Sequence, residues 1–202
     1  SYKNFMLRVQ DVSAVLDHLE NLNQKSDLPL SGKMDLSRVG MSGHSFGALT
    51  TQAVSGEKIP LSKSLTERRI KAAMPMSPGS RKMISPDESF GEVSIPWLLM
   101  TGTHDLASIG GQTIDSRLAV FPALPKGNHY EVVLHEAEHS VFNDKASSRD
   151  KLPRNPNHHR VILGLSTAFW DAYLRKDAEA RSWLNGDSPR NIMEKQDRWQ
   201  KK

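Results

Sequence analysis

The chain has 202 residues, 37% of them hydrophobic and 25% charged, which is enough apolar material for one domain with a substantial core and argues against wholesale disorder. Its formal charge of +4 is spread over interleaved basic and acidic residues, so it reads as a solvated surface rather than a nucleic-acid groove. There is no cysteine, which excludes disulfides, thiolate nucleophiles and Cys-ligated metals, and no apolar run approaches the roughly 20 residues needed to cross a bilayer.

The chain opens Ser-Tyr-Lys-Asn-Phe-Met-Leu-Arg, without an initiator Met or a charged-then-apolar leader, so it is expected to begin inside a longer protein. Phe5, Met6, Val9, Val12, Val15, Leu16, Leu19 and Leu22 recur at helical spacing and predict an amphipathic helix over 5–22. A polar stretch over 23–35 leads to a short buried strand over 36–42, followed at once by Gly43-His44-Ser45-Phe46-Gly47 and a helix over 48–54.

Three further apolar runs, 70–76, 95–101 and 130–134, read as strands, with a short helix over 113–124 between the last two. Such alternation favours a parallel sheet. The polar loops 77–94 and 143–158 are expected to wall a site. Val161, Ile162, Leu165, Ala168, Phe169, Ala172 and Tyr173 form a core-facing helical stripe, with a shorter helix over 177–184 behind it. The basic tail Lys195, Arg198, Lys201 and Lys202 is expected to be a solvated end.

Gly-x-Ser-x-Gly between strand and helix is the pattern of a nucleophile held on a strained turn, where side chains on the flanking positions would collide. Ser45 is the candidate nucleophile, and the N–H of Phe46, at the start of the helix, is the candidate oxyanion donor. A serine hydroxyl needs a histidine to take its proton, and the histidine needs an acid to orient it. Asp105 follows the third strand and His139 follows the fourth, giving the order Ser45, Asp105, His139.

His135 is the rival base, at a strand end where side chains tend to be packed. His44 and His104 flank the nucleophile and acid as candidate pocket-lining residues. His158 and His159 are expected at the entry of the long helix.

His135-Glu136-Ala137-Glu138-His139 also satisfies H-E-x-x-H, the zinc-binding pattern of metalloproteases. That chemistry needs a helix, whereas Val132-Val133-Leu134 just upstream reads as a strand, and no histidine stands six residues beyond His139. A zinc metalloprotease and a non-catalytic hydrolase-fold binding module are the two rival functions.

On Arg38-Val-Gly-Met-Ser-Gly-His-Ser-Phe-Gly-Ala48, Ile95-Pro-Trp-Leu-Leu-Met-Thr-Gly-Thr-His-Asp105 and Glu138-His-Ser-Val-Phe142, the chain resembles the α/β-hydrolase superfamily. It is most similar there to bacterial dienelactone-hydrolase-like and platelet-activating-factor-acetylhydrolase-like esterases. The resemblance implies an α/β-hydrolase fold, here its C-terminal part, with the early strands absent and 1–202 forming a single domain truncated at its N-terminus. It also implies a carboxylic-ester substrate and no cofactor.

Dienelactone hydrolases carry cysteine at the elbow, and serine here shifts the expectation to ordinary small-molecule esters. The second oxyanion donor comes from a loop after an early strand, so no residue of this sequence can be nominated for it. The chain alone is therefore expected to be weakly active, with the missing N-terminal segment as its partner. An extracytoplasmic location would follow from a leader in that segment.

Overall fold

The computed structural model describes residues 2–25, 28–60, 62–107 and 111–202. Of the polar stretch expected over 23–35, residues 26 and 27 lie outside that description. The described residues form a five-stranded sheet in the order β1-β2-β3-β4-β5. Strands β1 (Val39–His44), β2 (Ile70–Met76), β3 (Trp97–His104) and β4 (His129–Glu138) are mutually parallel, and β5 (Arg198–Lys201) closes the far edge antiparallel to β4. This is an α/β arrangement on a mostly parallel sheet.

The two-residue period of β3 explains the layering. Leu98 and Met100 face a core completed by Tyr130, Val132 and Leu134 of β4 and by Val161, Leu165 and Phe169. Trp97 and Leu99 face the opposite side, against Phe90, Val120, Phe121 and Leu124. All four β3 residues have no exposed surface, as expected of a parallel strand covered on both faces.

The helices supply those covers. On the first face lie α6 (Pro156–Leu174) and α7 (Ala178–Asn185); α3 (Pro86–Phe90) and α5 (Val120–Ala123) cover the second, and α4 (Ile114–Leu118) leads into α5. Near β1, Phe5 and Val9 of α1 (Tyr2–Gln24) pack on Ala53 and Val54 of α2 (Phe46–Val54) and on Ile70. Among the described residues no helix is long and apolar enough to cross a membrane.

Several elements depart from the sequence reading. The first strand starts at Val39, because Asp35 captures the Ser37 amide at 3.1 Å and the Arg38 guanidinium, folding 35–38 into a turn. The loop 77–94 contains α3, fixed by a capping box in which Ser85 and Glu88 satisfy each other's backbone N–H groups. The basic tail is not a solvated end. Trp199 stacks on Tyr130 at 5.6 Å, and Lys202 donates its Nζ to the carbonyl of Pro122 at 2.7 Å and its N–H to that of His129 at 3.0 Å. The charges of β5 point outward while its backbone pairs, which hydropathy cannot register.

Candidate active site

Because β1, β3 and β4 run parallel, the residues just past their C-terminal ends share one edge of the sheet. Ser45 follows β1, Asp105 follows β3 and His139 follows β4, where it opens a 3₁₀ turn running to Phe142.

Ser45 sits at φ 59° and ψ −114°, a region L-residues rarely occupy, at a cost of about 1–3 kcal/mol. Its amide is tied to the Met76 carbonyl at 3.0 Å, and its carbonyl accepts from Ala48 and Leu49 of α2. The two glycines differ in their reason. A Cβ on Gly43 would stand 2.4 Å from the Gly47 carbonyl oxygen, so the turn closes only without one. A Cβ on Gly47 would meet nothing within 4 Å, so the crowding expected on both flanks is confined to the first.

His139 Nε2 is 2.8 Å from Ser45 Oγ, and His139 Nδ1 is 2.6 Å from Asp105 Oδ1. Asp105 is fully buried and also accepts from Thr101 Oγ1 at 2.8 Å, with Arg117 Nη2 3.3 Å from its Oδ1. Burial alone would raise its carboxyl; the His139 hydrogen bond and the Arg117 charge outweigh burial and hold it below the usual carboxylate range. Asp105 is therefore an anion at neutral pH, which fixes the proton of a neutral His139 on Nδ1 and leaves Nε2 free to accept from Ser45.

Phe46 is the first residue of α2, where N–H groups lack intrahelical acceptors. Its ring lies under the Arg8 guanidinium, 4.8 Å from the centroid. Arg117 and Thr101 escaped the sequence reading. The available signal for Arg117 was a cation set directly before the apolar run Leu118 to Phe121.

The two candidate lining histidines separate. His104 lines a cavity of about 650 Å³ that opens on Ser45 and His139, together with Leu106, Asn143, Arg149 and Leu152. His44 does not line it. Its ring packs at a tilt, 4.6 Å from that of His139 and 5.3 Å from that of Phe142, and burial, then the neighbouring His139, lower its pKa to about 4, so it is a neutral neighbour of the base.

The wall over 143–152 is clamped to the His139 turn by acids: Glu138 accepts from the amides of Lys151 and Leu152 at 2.8 and 2.9 Å, and Asp150 accepts from Ser140 Oγ of the turn as well as from the Ser147 amide at 2.7 Å. The other expected wall, 77–94, contributes no residue to this cavity, since Gly79 is instead bonded to Gln52 of α2.

His135 lies within β4 rather than beyond it. Its amide donates to Asp197 at 2.7 Å, its carbonyl accepts from His158 Nε2 at 3.0 Å, and its ring stands 3.8 Å from Glu136. His135 to Glu138 belong to β4, with Glu136 kinked at φ 56°, and His139 only opens the 3₁₀ turn, so the shared helical face that H-E-x-x-H requires is not formed. His158 and His159 stand in the first turn of α6, His159 donating to the Val141 carbonyl at 2.9 Å.

Comparison with known proteins gives one family match: residues 3–154 fit the family model described as "PETase: PET hydrolase-like". No match is found among curated proteins.

Proposed function

The chain belongs to the PET hydrolase-like family of ester-hydrolysing α/β-hydrolases, and from that premise we propose that it cleaves a small-molecule carboxylic ester through Ser45, His139 and Asp105. The observation that carries this reading is the continuous hydrogen-bonded line from Ser45 Oγ through both His139 nitrogens to Asp105, at 2.8 and 2.6 Å.

Ser45 Oγ attacks the ester carbonyl carbon as His139 Nε2 takes its proton. The tetrahedral oxyanion accepts from the Phe46 N–H, a contact of the kind whose loss costs about 10²–10³ in rate. The C–O bond to the alcohol breaks, and the departing oxygen receives the proton from His139. Water then attacks the acyl-enzyme with His139 again as base, releasing the carboxylic acid and restoring Ser45. Asp105 keeps its charge throughout and stabilises the imidazolium.

The residue set needs no metal or organic cofactor for these steps. The test is hydrolysis of p-nitrophenyl acetate by the parent and by Ser45→Ala, His139→Ala and Asp105→Asn. The first two are expected to remove turnover, and Asp105→Asn to lower kcat by about 10³–10⁴ by stabilising the wrong tautomer. Unchanged hydrolysis by Ser45→Ala would overturn the reading.

A further inference from the structure

One guanidinium is sealed beside the acid. Arg117, on α4, is 1% exposed and spends its donors on three segments. Nε donates to the Asp105 carbonyl at 2.7 Å, and Nη1 to the carbonyls of Ser77 and Pro78 at 2.6 and 2.9 Å. Nη2 lies 3.3 Å from Asp105 Oδ1 and 3.5 Å from His139 Nδ1. A guanidinium has no acceptor, and Nδ1 donates to Asp105, so the contact with His139 is one of charge rather than a hydrogen bond.

The backbone that Arg117 grips also holds the nucleophile. Ser45 donates its amide to Met76, and Ser77 donates its amide to Met100 of β3 at 2.7 Å. The exits of β1, β2 and β3 thus share one short segment, Met76 to Pro78, and one cation pins that segment to the Asp105 loop.

Resting on the triad reading above, we propose that Arg117 is a positioning residue for ester hydrolysis, which fixes Asp105 relative to Ser45 and sets the charge of the Asp105–His139 pair. Its cation stabilises the carboxylate and disfavours a second positive charge on the imidazole, so both effects oppose uptake of a proton by the pair. Among the described residues, His44 packs at a tilt against His139 and is neutral, Thr101, Ser77 and Ser45 are the other polar side chains facing the pair, and His104, Glu138, Arg149, Asp150 and Lys151 line the cavity on which His139 opens.

The experiment compares Arg117→Met, which keeps the stem but loses charge and fork, with Arg117→Lys, which keeps the charge. Each is assayed on p-nitrophenyl acetate across pH, with circular dichroism melts reporting the folded fraction. For Arg117→Met, kcat falls about 100-fold with KM within about threefold, the signature of a misplaced catalytic group. Its acid limb of kcat/KM moves about one unit to higher pH. For Arg117→Lys, kcat falls about tenfold while the acid limb stays put, because a point charge replaces a rigid fork.

An unmoved acid limb in Arg117→Met, or a rate loss equal to its unfolded fraction, overturns the proposal. If Arg117→Met does not fold, the lysine variant decides: parental kcat in folded Arg117→Lys overturns it. Failure of the triad reading is separately visible, since Ser45→Ala would then retain hydrolysis.

Discussion

The strain at Ser45 has a cause that can be removed one atom at a time. The serine holds φ 59° because α2 begins at the next residue while β1 ends at the one before, and the turn between them closes by bringing Gly43 against the Gly47 backbone. Gly43→Ala places a methyl 2.4 Å from a carbonyl oxygen and forces the turn open. The expected cost is about 1–3 kcal/mol, with ester hydrolysis falling more steeply than the folded fraction because Ser45 Oγ leaves His139. Gly47→Ala meets open space and is expected to keep both. Thermal melts and p-nitrophenyl acetate rates on the two variants check this, and equal damage from both would contradict it. At this scale the sequence announced Ser45, Asp105 and His139 through their order and strand contexts. Arg117 was one of 27 Lys and Arg residues, marked in the sequence only by its place before an apolar run, and its burial beside Asp105 is what singled it out.

Elements were legible where burial was symmetric and hidden where backbone pairing carried the stability. The buried run of β3 could be read directly from hydropathy, whereas β5 presents Arg198, Gln200 and Lys201 and is held by its ladder with β4 and by the Trp199 stack. Helix α3 has five residues, too few for periodicity, although the spacing of Ser85 and Glu88 was there to be read as a cap.

The β4–β5 ladder also buries Glu131, opposite Gln200, which donates to its Oε2 at 2.7 Å. Its Oε1 has no partner among the described residues, and burial raises the carboxyl from 4.5 to about 7. Between those pH values the folded chain holds a proton that the unfolded chain has released, so this residue's contribution to stability falls as pH rises through the window and is flat above it. Glu131→Gln is neutral at every pH. Its advantage over the parent is expected to be absent near pH 4 and to reach the order of 2–3 kcal/mol by pH 8, read from urea melts at both. A difference that does not change with pH would contradict this.

For the molecule as a whole, parallel strands deliver three loop residues to one edge, two helices cover one face, and a clamped polar wall closes the cavity beside the histidine. Alternating strands and helices foretold that layering. The wall was legible only in part: 143–158 and 77–94 are both polar and rich in loop residues, and the clamps of Glu138 on the Lys151 amide and of Asp150 on Ser140 are what bring the first of them to the cavity. The central claim is that Ser45 is the nucleophile, and its most direct test is covalent capture. Brief incubation with a fluorophosphonate, followed by intact-mass measurement and peptide mapping, is expected to give one adduct, on Ser45, absent in Ser45→Ala and slowed by orders of magnitude in His139→Ala. An unlabelled parent, or an adduct on any other residue, would contradict the account.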